Sequence, residues 1–570
     1  MDWRDFLQLA LFILLLFTLT PPLGLFLEKV FEGKPHFLKP ALGWLEKAFY
    51  RILRIDPDGE EQSWRTYAVH LLAFSATSVS FNYILLRLQH LLPLNPQGLG
   101  PLSPHLSLNV AIGFITGTAW TSYSSESTVS YFSQMVGLVY QNFMSPATGL
   151  CAALVLIRGL ARKSQTPVGN FWVDLIRCNL YVLLPLSTVF AIFLISQGVV
   201  QNFLPYIEAT GLEGVKQLIA QGPAASQIAI KMLGSNGEGF FAANAAHPYE
   251  NPTAISNFVQ MLSMFLVPSA LVYYFGRAVG HLRHAWSVWA VMALLFVGGA
   301  VATACAEYSG NPMLRTLGAS SSINLEGKET RFGIFNSALF ATVTTDTSTG
   351  ATNSAHDSLT PLGGLVPMIN MHLGEVVFGG VGSGLYGMIS YIILTIFIAG
   401  LMVGRTPEYL GKKIEGREIK YVMLSLIAPA FLILIFSAWG ALDPKGISAL
   451  GNPGPHGFSE ILYAYTSGGA NNGSSLGGLT TNTPFWNLSL AFVMFFGRFL
   501  TMIPLMAIAG SMVKKRHHAE STATFPIHGT LFVGLLTGVI LIVGALTFFP
   551  ALALGPLAEH FDMIHALATH

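Results

Sequence analysis

The chain has 570 residues, of which 52% are hydrophobic and only 10% carry a charge. Soluble domains carry about 25% charged residues, so this composition excludes a water-facing surface of this size and favours the lipid bilayer as solvent. The net charge of +1 gives no overall attraction for nucleic acid, and the three cysteines lie scattered in apolar runs without the spacing of a metal site or disulfide framework.

Ten apolar runs are long enough to cross a membrane, since a spanning helix needs about 20 apolar residues. The first is predicted to be a retained span rather than a secretory signal, because Met-Asp-Trp-Arg-Asp replaces a basic start and no small-residue cleavage motif follows. In chain order the runs are 6–27, 68–92, 129–157, 172–199, 254–276, 285–305, 386–404, 421–441, 484–512 and 526–550.

Lysine and arginine are unevenly distributed among the connections between these runs. Alternate connections hold 20 of the 30 basic residues, and they lie at 28–65, 158–170, 276–284, 405–420 and 514–516. Because basic connections remain in the cytoplasm, we expect these five to be cytoplasmic and both termini to be extracytoplasmic.

The opposite connections contain a repeated feature. Four short tracts rich in Thr, Ser, Asn and Gly, here called tracts 1 to 4, each precede a long apolar run: Thr116-Gly117-Thr118-Ala119, Ser235-Asn236-Gly237, Thr347-Ser348-Thr349-Gly350 and Asn471-Asn472-Gly473. The last residues of successive tracts are 118, 113 and 123 residues apart, and a near-constant period indicates a repeated architecture. One such tract alone is typical of a tight turn, but turns need no common register.

The period predicts an all-α polytopic membrane protein. Four pseudo-repeated units, each a span, a short pore helix, a polar tract and a second span, would surround one pore. The predicted units are 66–160, 170–280, 284–404 and 420–513, with an extra helix at each terminus, at 1–30 and 525–552.

The tracts suit a dehydrated monovalent cation such as K⁺. The ion needs several neutral oxygens in place of its water, and rings of backbone carbonyls supply them in K⁺ filters. Glycine permits unusual dihedral angles, so we expect Gly237, Gly350 and Gly473 to adopt angles that a Cβ disfavours.

Carboxylates are few near the tracts, whereas a divalent-selective site would need a ring of them. Glu238 and Asp346 lie at tracts 2 and 3, and Glu126 lies just beyond tract 1. We expect structural hydrogen bonds or attraction of cations at the mouth from these groups, rather than direct ligation.

Five longer motifs are specific enough to indicate a family. They are Gly234-Ser-Asn-Gly-Glu-Gly-Phe-Phe241, His247-Pro-Tyr-Glu-Asn-Pro-Thr253, Gly374-Glu-Val-Val-Phe-Gly-Gly-Val-Gly-Ser-Gly-Leu-Tyr-Gly387, Gly404-Arg-Thr-Pro-Glu-Tyr-Leu-Gly-Lys-Lys413 and Asn482-Thr-Pro-Phe-Trp-Asn487. Through them nearly the whole chain resembles the potassium-binding A subunits of bacterial Kdp potassium-transporting P-type ATPases. The chain departs from the family pattern at Ala119 and Thr121 in the first tract region and at Glu238 in the second.

The resemblance implies a function and a set of partners. The chain would select extracytoplasmic K⁺ and pass it into an ATP-driven, high-affinity uptake complex in the bacterial inner membrane, without being a catalytic subunit. ATP would be hydrolysed by a P-type ATPase B subunit. A single-span C subunit anchored outside, a small one-helix F subunit and the lipid bilayer would complete the assembly.

Other functions have weaker support in the sequence. A Walker A motif and a P-type phosphorylation motif are absent, and no strand precedes the glycine-rich run Gly380–Gly387 as a dinucleotide loop would require. His247, His356 and Asp357 lack metalloprotease spacing and are expected to anchor loops. A channel or symporter that works without an ATPase partner is the closer alternative.

Two charged residues and a glycine-rich run are predicted to control the path below the tracts. Glu375 and Arg498 lie in apolar surroundings, where an isolated charge costs about 2.5–3.5 kcal/mol, so we expect each to have a partner or to line water. A Glu375–Arg498 pair would neutralise both. The Gly379–Gly387 segment is expected to break its helix and form a plug through Gly380, Gly382 and Gly384. Arg498 would then repel K⁺ on the straight path and turn it sideways, although a purely structural salt bridge is an equal alternative.

Overall fold

The spans dominate the fold. The computed structural model describes residues 1–57, 59–318, 323–404, 406–517 and 525–568. Within these ranges ten helices are long and apolar enough to cross a membrane, which confirms the predicted number. They are Trp3–Phe31, Trp64–Leu91, Ser133–Ala161, Phe171–Ser196, Ala254–Ala278, Leu282–Leu314, Ser383–Met402, Gly416–Leu442, Pro484–Met512 and Thr530–His565.

A shorter helix lies between the two spans of each repeat and is here called a pore helix. The four pore helices are Pro104–Ile115, Ala224–Leu233, Gly333–Asp346 and Gly454–Ala470. The order span, pore helix, span therefore occurs four times between the first and last spans, as the predicted fold class requires. The residue boundaries given above for the four units and two extra helices stay predictions.

The second span of every unit is the inner one. In Ser133–Ala161, Ala254–Ala278, Ser383–Met402 and Pro484–Met512, between 67% and 83% of the most apolar window is buried. The corresponding fraction is 33–44% in the first spans of the units and 28% in the two terminal spans. Hydropathy alone does not make this distinction, because lipid tails and a protein interior are similarly apolar.

Capping residues set the beginnings of two inner spans. Thr253 caps Ala254–Ala278 in a capping box with Ser256, and Thr483 caps Pro484–Met512, whose first residue is proline. A hydroxyl at the N-cap satisfies a free backbone N–H, and proline has no N–H to leave unpaired at the first position.

The second span of the third unit is discontinuous. A helix over Pro361–His372 ends, the chain runs without helix over 373–382, and Ser383–Met402 continues into the inner ring. Left-handed backbone at Gly374 (φ 80°), Glu375 (φ 50°) and Gly382 (φ 98°) makes the break, since a continuous helix cannot accommodate it. We call residues 373–382 the break segment; it begins earlier than the predicted Gly379.

The remaining elements lie in the connections. Three two-stranded antiparallel sheets are formed among the described residues, by Gln62–Ser63 with Pro167–Gly169, Ile207–Thr210 with Lys216–Ile219, and Glu408–Tyr409 with Lys412–Lys413. The short helices of the connections are Lys39–Leu53, Ser125–Thr128 and Pro444–Ile447. Two further short helices, Pro312–Thr316 and Ala558–Ala568, overlap the ends of the spans Leu282–Leu314 and Thr530–His565.

Candidate functional site

Each polar tract begins where a pore helix ends. After the second, third and fourth pore helices, a backbone N–H bonds a carbonyl five residues earlier, in the pairs Asn236–Lys231 (2.9 Å), Thr349–Thr344 (3.1 Å) and Asn472–Ser467 (2.8 Å). This bond is the longer of the two in the Schellman motif, which closes a helix with a left-handed residue. In the first unit, Ala119 N–H reaches back to Gly113 at 2.8 Å.

One left-handed residue occurs at the same position of every tract, two places before the tract's last residue. These residues are Gly117 (φ 81°), Ser235 (φ 53°), Ser348 (φ 62°) and Asn471 (φ 67°). Three of the four carry a side chain, although left-handed backbone is uncommon outside glycine. The four tracts therefore share this left-handed turn despite their different sequences.

The four tracts meet at one place through their backbones. A Cβ atom on Gly237 would lie 2.6 Å from the Thr118 carbonyl oxygen and 2.9 Å from that of Asn472. A Cβ on Gly350 would lie 2.8 Å from Gly237 Cα, and one on Gly473 would lie 3.1 Å from the same atom. The structure thus brings together residues that are more than 350 positions apart, with carbonyl oxygens of Thr118 and Asn472 at the junction.

The expected dihedral angles are present at two of the three tract glycines. Gly350 (φ 75°) and Gly473 (φ 106°) are left-handed, as is Ala119 (φ 47°) at the matching position of tract 1. For Gly237 the expectation is wrong, because its φ lies outside the left-handed range. Close backbone approach by tracts 1 and 4, rather than dihedral angle, excludes a side chain there.

Side chains of the tracts form hydrogen bonds both within a tract and between tracts. The hydroxyls of Thr116 and Thr118 lie 3.0 Å apart, and those of Thr347 and Thr349 are also hydrogen-bonded. Asn471 Nδ2 donates to Thr118 Oγ1 at 2.9 Å, which joins tracts 4 and 1. These hydrogen bonds are buried and hold the tract side chains in place.

The electrostatic character of the junction comes from partial charges. Every tract follows the C-terminal end of its pore helix, where aligned peptide dipoles amount to about half a negative charge. The tract residues themselves are all uncharged. Four such ends can stabilise a cation without a fixed carboxylate.

Two of the three acidic residues near the tracts, Glu238 and Glu126, accept hydrogen bonds. Glu238 accepts from Asn142 Nδ2, and Glu126 Oε2 accepts from the Ala242 N–H at 2.9 Å. Asp346 is buried as the last residue of the third pore helix. The first two groups thus make the structural bonds that were one of the predicted alternatives.

A small cavity lies on the helix side of the junction. The four left-handed tract residues line it, together with Gly380, Ser383 and Arg498. Arg498 and the end of the break segment therefore stand directly under the tracts, where the glycine run and the arginine were predicted to act.

The expected Glu375–Arg498 ion pair is wrong: among the described residues no ion pair joins them. Left-handed Glu375 turns up to the underside of the tracts, where Asn472 Nδ2 donates to Oε1 at 2.7 Å and Ser348 Oγ donates to Oε2. Two neutral donors thus satisfy the carboxylate. Arg498 contacts the Ser145 carbonyl at 3.4 Å instead.

A second cavity lies beside the first. Glu375, Arg498 and Ser348 line it, together with Tyr386. Its lining also includes Ser425, Pro429 and Phe548, from the first span of the fourth unit and the last span of the chain. The two charges therefore face one lateral cavity although they do not pair.

Glycines fix the position of the break segment and the helix that follows. A Cβ on Gly382 would overlap the Gly149 carbonyl, and one on Gly380 would lie 3.1 Å from the Thr347 carbonyl oxygen. A Cβ on Gly384 would lie 2.5 Å from Gly379 Cα. The segment is thereby held against the inner span of the first unit and under tract 3.

A buried polar cluster behind tract 2 was missed by sequence reasoning. Lys231 and Glu250 form an ion pair of 2.7 Å, both side chains being fully buried, and Lys231 Nζ also donates to Asn244 Oδ1 at 2.9 Å. Lys231 lies outside the five basic connections. A lysine inside a short apolar helix was the available signal.

The histidines weighed as a metal or acid–base group have separate surroundings. His247 stacks on Phe241 with ring centroids 4.1 Å apart, and His356 Nδ1 lies 2.9 Å from the Tyr463 hydroxyl. Asp357 is bonded instead to His456, at 2.9 Å. Loop anchoring accounts for these contacts.

Comparisons with known proteins agree with the geometry. Residues 10–561 match the family described as potassium-transporting ATPase A subunit. The potassium-transporting ATPase potassium-binding subunits of Methylorubrum extorquens and Nitratidesulfovibrio vulgaris are each 55% identical, over 98% and 100% of both chains respectively. The crystal structure of the potassium transporter TrkH from Vibrio parahaemolyticus shares the fold, with a TM-score of 0.53, 14% identity and coverage of 89% of this chain and 98% of that one.

Proposed function

Because the chain belongs to the family of potassium-transporting ATPase A subunits, we propose that it binds and selects K⁺ and delivers it to the membrane domain of an ATP-driven uptake complex. It is the potassium-binding subunit, not the catalytic one. The single observation that carries the proposal is the backbone junction of the four tracts, where Gly237, Gly350 and Gly473 exclude side chains.

The junction has the chemistry that a monovalent cation needs. Carbonyl oxygens replace the hydration shell, and four helix C-termini supply partial negative charge. Since no carboxylate enters the tracts, a divalent ion would gain too little to lose its more tightly held water. In this proposal tracts 1 to 4 form the filter.

The ion leaves the filter sideways. Arg498 and the break segment stand under the filter, so a cation on the straight path meets a guanidinium. The lateral cavity between the third and fourth units gives the alternative direction, and Glu375 at its start attracts cations into it. This route ends at the periphery, where a partner subunit can receive the ion.

Membership of an ATPase subunit family supports a proposed set of partners. ATP is hydrolysed by a P-type ATPase B subunit, with a single-span C subunit and a small one-helix F subunit in the same complex. The peripheral spans, with 28–44% of their apolar windows buried, leave apolar surface for these subunits and for lipid. The complex resides in the bacterial inner membrane with both termini of this chain outside.

The substitution Gly350→Ser tests the proposed filter. The serine Cβ would be strained by the positive φ and would meet the Asn472 and Gly237 backbones, so we expect the transport KM for K⁺ to rise about tenfold and rejection of Rb⁺ to weaken. Gly280→Ser is the matched control, because Gly280 is also left-handed (φ 77°) but has open space around it. Unchanged K⁺ and Rb⁺ kinetics in Gly350→Ser, in a protein that inserts normally, would exclude tract 3 from the filter.

A further inference from the structure

We propose that Lys231 is a positioning residue for the ion-binding oxygens of tract 2 and acts through the side-chain amide of Asn244. This inference rests on the proposed function, because it concerns how one tract distinguishes monovalent cations. Both residues flank tract 2 in the sequence, at the end of the pore helix and in the loop beyond it.

The cluster around Lys231 is fully connected. Its Nζ lies 2.7 Å from Glu250 Oε2 and 2.9 Å from Asn244 Oδ1. The other carboxylate oxygen, Glu250 Oε1, accepts the Phe241 N–H at 2.8 Å. Each charged group therefore has a counter-charge and a further hydrogen bond, as a buried pair needs.

The lysine fixes the orientation of the Asn244 amide. An ammonium group can only donate, so it holds the amide oxygen towards itself, and the Ala245 N–H donates to the same oxygen at 2.9 Å. The amide nitrogen must then point the other way, and it donates to the Gly237 carbonyl oxygen at 3.1 Å. A neutral amide in place of Lys231 could accept as well as donate and would permit the flipped orientation.

The hydrogen bond from the Asn244 amide to the Gly237 carbonyl bears on ion selection. The strength with which a carbonyl binds a cation depends on its field, and a carbonyl that already accepts an N–H is a weaker ligand. Lys231 therefore sets the ligand strength of the Gly237 carbonyl from outside the tract. Its backbone carbonyl also accepts the Asn236 N–H at 2.9 Å, so one residue holds tract 2 at two points.

Glu250 keeps this arrangement electrically neutral. A lone ammonium so near the junction would repel the ion, whereas the paired cluster carries no net charge. Positioning and charge can thus be separated by removing both charges together, because the cluster then stays neutral while the bond from Lys231 to Asn244 is lost.

The chain provides a matched control pair. Lys328 and Glu307 form another buried ion pair of 2.7 Å with fully buried side chains. Glu307 Oε1 accepts from the Thr360 N–H and hydroxyl, and its Oε2 accepts from Asn324, none of which belongs to a tract. Removing the Lys328–Glu307 pair should destabilise the fold to a similar extent without changing any contact of the proposed filter.

The test uses the chain in its complex with the ATPase, with K⁺- and Rb⁺-stimulated ATP hydrolysis and uptake as readouts. In Lys231→Met/Glu250→Gln we expect the ratio of the Rb⁺ and K⁺ KM values to change about tenfold, the equivalent of one hydrogen bond, while kcat stays within about twofold. Lys328→Met/Glu307→Gln should leave the ratio unchanged. An unchanged ratio in the first double variant overturns the proposal.

Asn244 provides the second arm of the test. In an Asn244→Leu background the Lys231/Glu250 substitutions should have no further effect on the ratio, because both act on one bond. Additive effects would overturn the proposed path through the amide. Asn244→Asp keeps the volume and the contact with Lys231 but removes the donor; a wild-type ratio there also overturns the proposal, even if the double variant does not fold.

The outcome is distinguishable from failure of the proposed function. If the wild-type complex showed no K⁺-dependent hydrolysis or uptake, the proposed function would fail. If wild type selects K⁺ and all Lys231 and Asn244 variants do so equally well, the inference on Lys231 alone fails.

Discussion

A single imidazole joins the fourth pore helix to the end of the chain. His456 Nε2 lies 2.9 Å from Asp357 Oδ1, and His456 Nδ1 lies 2.7 Å from Glu559 Oε1. The hydrogen bonds to Asp357 and then Glu559 raise the pKa of His456 from 6.5 to about 10, against the effect of burial. Glu460 lies close by and adds a third carboxylate to the group.

The raised pKa predicts a pH-dependent stability. Because the folded-state pKa of His456 exceeds the unfolded value, its stabilisation is complete below pH 6.5 and is lost as the pH rises through about 10. We expect the thermal stability of the purified protein to fall between pH 7 and 10.5 more steeply than in His456→Gln. Thermal unfolding in detergent at stepped pH measures this; parallel curves for the two proteins would contradict the assigned charge.

The tracts show which features of individual residues can be predicted from the sequence and which cannot. The composition of the tracts predicted polar loops with carbonyl ligands, and the structure brings those loops together. It did not predict left-handed backbone at Ser235, Ser348 and Asn471, because the hydrogen bonds that end a helix, not the residue type, impose that conformation. Nor could it pair Glu375 with its real partners, since the turn at the break sets the direction of that side chain.

Among the elements, the break segment is the one proposed to close the straight path beneath the tracts. After the helix Pro361–His372 the chain turns under tract 3 before Ser383–Met402 begins. Glycine runs predicted a break. Its location 373–382 depends on contact with Gly149 of another unit, which no local pattern contains.

Substitution of Arg498 tests closure beneath the filter. In Arg498→Gln the guanidinium is lost from the cavity under the tracts, and we expect passive K⁺ conductance to rise about tenfold, the equivalent of ~1.4 kcal/mol of lost repulsion. Arg498→Lys retains the charge and should stay tight. Electrical recording on proteoliposomes with and without ATP makes the measurement; a tight, fully coupled Arg498→Gln variant would assign the arginine a structural function.

At the scale of the whole molecule, the distribution of basic residues predicts which face is cytoplasmic. Leu212, fully exposed in the hairpin Ile207–Ile219, lies on the face assigned to the exterior, and Lys514 lies in a basic connection. After replacement of the exposed Cys305, we expect Leu212→Cys to react with a membrane-impermeant maleimide in intact cells and Lys514→Cys to react only after permeabilisation. The reverse labelling pattern would show that the chain has the opposite orientation in the membrane.

The arrangement of inner and outer spans shows what hydropathy cannot predict. Ten spans could be counted from hydropathy, because each must cross about the same thickness of apolar solvent. Their sorting into an inner ring and a periphery could not, since burial against protein and burial in lipid select the same residues.

The four walls of the junction are encoded separately within one chain. In a ring of identical subunits, a single codon change alters four positions at once, so an intermediate ligand geometry is out of reach. Here tract 1 ends in Ala119 while the other three end in glycine, and only tract 2 has Asn244 bonded to its last carbonyl. A single substitution therefore changes only one of the four tracts. Mutation and selection can adjust the selectivity of the proposed filter in smaller steps than a symmetric ring of subunits would allow.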